Sequence, residues 1–96
     1  MKFAVLFEDN PGVGDLRMQH MADHLAFLKR NKDKIDAAGP LLDGTGGGAG
    51  GLWLVDVASE NEAQALVEDD PFWPTGLRKS VRILTWKQVF VNGRSV

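Results

Sequence analysis

The chain has 96 residues, which is enough for one domain with a modest core. It carries 11 basic and 13 acidic side chains, a formal net charge of −2, and we expect no nucleic-acid partner because such partners need a concentrated basic surface. The absence of cysteine excludes disulfides, a thiolate nucleophile and cysteine-ligated metal sites. No stretch has the length and apolarity of a membrane span or a signal peptide, so we expect a single cytoplasmic domain over residues 1–96.

The first half of the chain predicts a strand, a helix and a second strand. The apolar run 2–8 ends in a turn cluster, which is typical of a strand. Asp15 is a suitable N-cap for a helix over about 16–32. Residues 35–42 predict a short strand, and Pro40 places it at a sheet edge or a bulge because proline donates no ladder hydrogen bond. One apolar stripe of the predicted helix consists of Met18, Met21, Leu25 and Leu28.

The second half predicts a further strand and a capped helix. A glycine-rich loop over 44–51 precedes the strand 52–57. Ser59 and Glu62 have the spacing of a capping box, which opens a helix that ends before Pro71. The inward-facing residues of this helix are predicted to be Ala63, Leu66 and Val67.

The last part of the chain predicts a turn and one long strand. Residues 72–76 are expected to form an irregular turn, and 81–91 a final strand with a kink near Lys87. The element order is then β-α-β-β-α-β, the split arrangement of ferredoxin-like α+β folds, with an antiparallel sheet and both helices on one face.

Apolar residues lie on both faces of two predicted strands. In strand 52–57, Trp53 points to one face and Leu54 to the other; in the last strand, Ile83 opposes Leu84 and Trp86. Two helices cover only one face of a four-stranded sheet, and single exposed apolar residues are common on protein surfaces. Because several occur together here, the pattern predicts a homodimer with the two sheets packed face to face.

The two histidines, His20 and His24, are four residues apart and therefore share a helix face. This spacing suits two ligands of a metal ion, but the helix lacks the companion glutamate of a zincin motif, so we expect neither a metal nor another cofactor. His24 lies at the margin of the apolar stripe and is expected to be partly buried, as a structural histidine or as an acid–base group. His20 is expected at the surface.

Three acids crowd the end of the second predicted helix, where carboxylates are unfavourable because the helix carbonyls already carry partial negative charge. Glu68 and Asp69 are interpreted as solvated charges. Asp70 differs because Pro71 disfavours a helical conformation at the preceding residue, so its carboxylate is free to turn toward the domain.

Other candidates for ligand contact are one arginine and three aromatic residues. Arg17, in the first helical turn, suits an anionic substrate group or simply solvent. Phe72, Trp73 and Trp53 suit either apolar pocket walls or the core.

The glycine-rich loop contains a G-x-G-x-x-G pattern at Gly46, Gly48 and Gly51, but a dinucleotide-binding loop opens a helix and this one precedes a strand. We interpret it as a hairpin connection that is flexible enough to act as a lid.

Taken together, these motifs resemble the YciI-like (YCII-related) domain family over nearly the whole chain. The matching segments are Arg17, His24-Leu25-Ala26-Phe27-Leu28, Ala38-Gly39-Pro40-Leu41, Ser59-x-x-Glu62-Ala63, Asp69-Asp70-Pro71-Phe72, Gly76 and Trp86. The long glycine loop departs from the family pattern.

The resemblance implies a ferredoxin-like fold that pairs into a dimeric α/β barrel. It also implies an active site built on a His–Asp pair, which would be His24 and Asp70. One branch of the family is linked to dehydrochlorination of a chlorinated hydroxyhydroquinone, while most members have no established reaction.

Three functions are compatible with these residues. The first is an enzyme in which His24 is a general acid or base and Asp70 orients it, for elimination, isomerisation or dehydrochlorination of a small molecule, aromatic compounds included. The second is a dimeric module that binds a small ligand or an enzyme partner without chemistry. The third, a cofactor-free monooxygenase, rests on fold analogy alone.

Overall fold

The computed structural model describes residues 1–45 and 48–96. The strands of its main sheet are β1 (Lys2–Asp9), β2 (Ile35–Leu42), β3 (Gly48–Asp56) and β4 (Arg78–Thr85). The helices are α1 (Gly14–Gln19), α2 (Met21–Arg30) and α3 (Glu60–Asp69), and a 3₁₀ turn covers Trp73–Thr75. Two short strands follow, β5 (Phe90–Val91) and β6 (Arg94–Ser95).

The main sheet is antiparallel, with strand order β2-β3-β1-β4. This is the predicted ferredoxin-like α+β arrangement. β2 lies at the edge of the sheet, as Pro40 indicated, and its pairing with β3 is irregular at two points.

The core lies between one face of the sheet and two helices. Alternate residues of β1 and β3 are buried, and they pack against Phe27 of α2 and against α3. The sheet contributes Phe3, Val5, Phe7, Trp53 and Val55 to this core, and Val57 directly after β3 also belongs to it. The predicted inward residues of α3, namely Ala63, Leu66 and Val67, are all buried.

α3 begins at a capping box. The Glu62 amide donates to Ser59 Oγ at 3.2 Å. The Glu62 carboxylate reaches back one residue further than expected and accepts from the Ala58 amide at 3.0 Å. The helix ends at Asp69, and Asp70 before the proline has extended backbone angles (φ −67°, ψ 132°).

The prediction of one helix over 16–32 was wrong. Two helices, α1 and α2, meet at His20, whose ψ of 7° interrupts the helical conformation. The N-cap position of α1 is Val13, and Asp15 lies inside the helix.

The apolar stripe predicted for the first helix faces the core only in part. Leu28 is partly buried and packs against the core, whereas Met18 is 82% exposed, and the buried residues of α2 are His24 and Phe27. Met21, Leu25 and Leu28 also line the pocket described below.

The prediction of one long final strand over 81–91 was also wrong, because β4 ends at Thr85. β4 pairs with β1, and Thr85 is already opposite Phe3 near the start of that strand. The Trp86 amide still donates to the Lys2 carbonyl at 2.9 Å, and β1 begins at Lys2, so the ladder ends there. Beyond it, β5 and β6 form a hairpin around Asn92 and Gly93, both of which have positive φ (54° and 78°). This Asn-Gly pair is a hairpin signal that the prediction overlooked.

The glycine-rich segment is partly strand, because Gly48 to Gly51 belong to β3. Gly46 and Gly47, on which the idea of a lid also depends, lie outside the described residues.

Candidate active site

The site is built around a buried contact between α2 and the end of α3. His24 Nδ1 lies 2.9 Å from Asp70 Oδ1, although 46 positions separate the two residues. The extended backbone of Asp70 turns its carboxylate into the domain, where the residue is only 1% exposed. The Phe72 amide also donates to Oδ1, at 3.2 Å, in a local turn that fixes the carboxylate.

The second carboxylate oxygen of Asp70 faces Arg78 at the start of β4. Arg78 Nη2 lies 2.7 Å from Oδ2, an ion pair whose orientation is not that of a good hydrogen bond. Asp70 therefore joins His24 and Arg78, one at each oxygen of a single carboxylate.

Burial and neighbouring groups act in opposite directions on the charge state of Asp70. Burial is the largest and acts to raise the pKa, but the hydrogen bond with His24 and the charge of Arg78 outweigh it, so the pKa of Asp70 lies below its ordinary value. An ionised carboxylate only accepts hydrogen bonds, so His24 Nδ1 is the donor. Among the described residues no hydrogen bond involves His24 Nε2, which is therefore the basic atom of the neutral ring.

Aromatic rings hold the imidazole in place. The Phe72 ring is stacked on His24 with centroids 4.3 Å apart, and Trp53 lies 6.3 Å away on a nearly parallel plane. Phe72 is fully buried, so it supports His24 from within the core and is not positioned as a pocket wall.

His24 and Arg78 both line a pocket of about 90 Å³. Pockets for drug-sized ligands measure roughly 300–1,000 Å³, so this one suits a small molecule. Its walls are mostly apolar, and its remaining lining residues are Phe7, Arg17, Met21, Leu25, Leu28, Ala38, Gly39, Pro40, Gly51 and Trp53.

Of the two predicted ligand contacts Arg17 and Trp73, the first lines the His24 pocket and the second does not. Arg17 lines the pocket and is paired with Asp9, with Nη2 2.8 Å from Oδ2. Trp73, which the sequence suggested as a substrate contact, belongs to the 3₁₀ turn, is 42% exposed and does not line the His24 pocket. It borders a second surface depression with Gln64 and Lys79, and Arg78 lines both.

The remaining candidates from the sequence, Glu68, Asp69 and His20, do not line the His24 pocket. Glu68 and Asp69 are exposed, and His20 lies at the helix junction outside the pocket lining. Over residues 1–45 and 48–96, no group of three or more His, Asp or Glu side chains is arranged to hold a metal ion.

Comparison with known proteins identifies the family. The model of the YCII-related domain matches residues 1–87. The chain belongs to the YCII-related domain family. None of the curated proteins compared with this YCII-related chain matches it significantly.

A solved structure with a similar sequence adds detail to the family assignment. This YCII-related chain is 35% identical to 5-chloro-2-hydroxyhydroquinone dehydrochlorinase (TftG) from Burkholderia phenoliruptrix AC1100, in complex with 2,5-dihydroxybenzoquinone. The match covers 91% of this chain and 94% of that one, with a TM-score of 0.82. A protein from Arabidopsis thaliana is 15% identical over 95% of this chain and 97% of its own, with a TM-score of 0.49, which says nothing about chemistry.

Sequence reasoning missed Arg78 in this YCII-related site. Strict alternation along β4 puts position 78 on the face of Leu84, away from the core. The register with β1 shifts, however, so that Glu8 is opposite Ser80 and Asp9 is opposite Arg78, which leaves Lys79 as an additional residue. A bulge of this kind moves the following side chain to the other face, and here it brings Arg78 to the pocket. The available signal was an arginine two residues after the turn 72–76, which contains Phe72 and Trp73.

Proposed function

We propose that this chain is an enzyme that transfers protons on a small, hydroxylated aromatic molecule, with His24 as the acid–base group. The observation that carries the proposal is the His24–Asp70 hydrogen bond of 2.9 Å at a pocket lined mainly by apolar side chains. A positioned imidazole contributes about 10²- to 10⁴-fold to proton-transfer reactions.

Asp70 has two effects on the imidazole. Its ionised carboxylate keeps the proton on Nδ1, which leaves Nε2 to take a proton from the substrate. It also stabilises the imidazolium that then forms, because the positive ring faces a buried negative charge. The stacking of Phe72 on the ring restricts rotation of His24 away from this geometry.

The reaction that we favour is elimination of HCl from a chlorinated hydroquinone. A hydroxyl proton moves to the chlorine-bearing ring carbon through His24. The carbon–chlorine bond then breaks, its electron pair leaves with chloride, and a second hydroxyl proton is lost to a base. The net change is loss of HCl, so the step needs no oxidant. The similarity to TftG at 35% identity supports this class, and isomerisation would use the same proton transfers.

Two further residues have proposed roles beside the pair. Arg17 is at the pocket and would contact a polar group of the ligand, with its charge already balanced by Asp9. Phe72 would act on the ligand only through His24, since it is fully buried behind the ring.

We also propose that the protein is a homodimer formed through the second face of the sheet. Leu84 and Trp86 are 42% and 37% exposed there, and Leu52 and Leu54 line a shallow groove beside β2. Apolar residues that cluster on a sheet face without helices are best covered by another apolar sheet, and a second copy supplies one.

The deciding experiment is chloride release from 5-chloro-2-hydroxyhydroquinone by the purified protein. We expect turnover by the wild type, loss of about 100-fold or more in His24→Ala, and little change in His20→Ala, a histidine outside the pocket. Equal loss in both variants, or full activity in His24→Ala, would exclude the acid–base role. Binding of 2,5-dihydroxybenzoquinone without any turnover would favour the non-catalytic binding module.

A further inference from the structure

Arg78 combines burial with an unsatisfied nitrogen. Its side chain is only 7% exposed, and Nη1 is buried without a hydrogen-bond partner. A buried donor of this kind is unfavourable because it has lost water and gained no acceptor. Arg78 also lines the His24 pocket, so a ligand group bound there is a candidate acceptor for this nitrogen.

The remaining contacts of Arg78 keep the guanidinium in position. Nη2 is paired with Asp70, and the guanidinium carbon lies 3.8 Å from the centroid of the Phe7 ring. Trp53 and Phe72 lie 5.3 and 5.5 Å away, so the cation has aromatic neighbours on more than one side. Burial is the largest influence on the pKa of Arg78 and lowers it, and Asp70 opposes that effect.

The charges around the pocket balance before any ligand arrives. Arg78 is paired with Asp70, and Arg17 is paired with Asp9. When a neutral ligand transfers a hydroxyl proton to His24, one negative oxygen and one positive imidazolium appear together. Asp70 is already bonded to the imidazole, whereas the guanidinium of Arg78 has a buried nitrogen that is available as a donor for the oxygen.

We propose that Arg78 binds the substrate oxygen that gives its proton to His24 and stabilises the resulting oxyanion. The ligand is then an acidic phenol, hydroxyquinone or enol whose ionisable hydroxyl lies between His24 and Arg78. This assignment rests on the proposed function for its reaction, but it makes a separate statement about which ligands bind. Donors aimed at a developing oxyanion are among the largest contributions to catalysis.

Binding of two probes tests the assignment without turnover. 2,5-Dihydroxybenzoquinone is ionised at neutral pH because it is a vinylogous acid, whereas hydroquinone is neutral there, like other simple phenols. Calorimetric titration of each probe is made with the wild type, Arg78→Met and Arg78→Lys. Arg82→Met is the matched control because Arg82 is an exposed arginine of the same strand.

We expect the wild type to prefer the anion and Arg78→Met to weaken anion binding by about 10- to 100-fold, with hydroquinone affinity changed by less than about 3-fold. Arg82→Met should leave both affinities unchanged. If Arg78→Met does not fold, the test uses Arg78→Lys. We expect this variant to lose anion preference several-fold, because the lysine ammonium lacks the second terminal nitrogen of the guanidinium.

Three results would overturn the assignment: an equal loss for both probes, no loss in either Arg78 variant, or no binding of the anion by the wild type. Anion preference that depends on Arg78 in a protein without dehydrochlorinase activity would retain the assignment and exclude the proposed reaction. Turnover by the wild type together with unchanged anion preference in the Arg78 variants would retain the proposed reaction and exclude the role of Arg78.

Discussion

Gly50 of β3 lies against the backbone of Phe7 in β1. A β-carbon at position 50 would be 1.9 Å from the Phe7 carbonyl oxygen, and the φ of Gly50 is +131°. Both observations require glycine, the first by contact and the second by backbone conformation. Phe7 in turn supports the guanidinium of Arg78, so this close approach contributes to the geometry of the site.

We therefore expect Gly50→Ala to destabilise the protein by about 2 kcal/mol or more, because the strands must separate or the backbone must change conformation. Urea unfolding measures this difference. Gly39→Ala is the matched control, since a β-carbon at position 39 meets nothing within 4 Å. Equal stability of the two variants would mean that β1 and β3 adjust without cost.

Replacing Asp70 with asparagine should reduce the rate of the proposed reaction by about 100-fold or more. The amide neither keeps the proton on His24 Nδ1 nor stabilises the imidazolium. Steady-state kinetics of chloride release would measure the loss, with the exposed Asp69→Asn as control. A variant with normal kcat would show that His24 needs no carboxylate.

The same substitution should lower the free energy of unfolding by about 3 kcal/mol, because it removes one member of a buried ion pair and leaves Arg78 without its counter-charge. Thermal or urea unfolding of Asp70→Asn checks this value. Unchanged stability would mean that Arg78 moves into solvent when its partner is neutral.

Stability should depend on pH in the acid range through Asp70. The pKa of Asp70 is lowered in the folded state, so its contribution is present above the unfolded value of about 3.9 and is lost as the pH falls through the lower folded value. Unfolding curves below about pH 5 should show this decline, and Asp70→Asn should make it shallower. Asp56 also has a lowered pKa, caused first by its hydrogen bond to the N-terminal amine, so Asp56→Asn separates its contribution. If the dependence of stability on pH were unchanged in Asp70→Asn, Asp70 would not be the group responsible for the decline.

The proposed dimer predicts the effect of a charge on the exposed sheet face. Leu84→Lys should convert a dimer into monomers, because an ammonium buried between two sheets loses its hydration. Analytical ultracentrifugation measures the mass. Met18→Lys, on the helical side and 82% exposed, should leave the dimer intact. Monomeric wild-type protein would exclude the proposal.

Local patterns in the sequence predicted the secondary structure well where one physical requirement dominated. The alternation in β3 followed from having one face buried, and the start of α3 followed from the Ser59 capping box. Pro71 ended the same helix and gave Asp70 its extended backbone. The helix break at His20 has no such local signal, so a single helix was predicted there.

Local sequence patterns were enough to predict the order of the four main strands and to single out His24 and Asp70 as acid–base candidates, because propensity, capping and turn chemistry act over a few neighbouring residues. The bond between His24 and Asp70 across 46 positions, and the position of Arg78 beside them, depend on the folded arrangement of distant segments. The position of Arg78 depends on one additional residue in the pairing of β4 with β1. A register shift reverses the face of every residue beyond it, and the hydrogen bonding between strands sets that register.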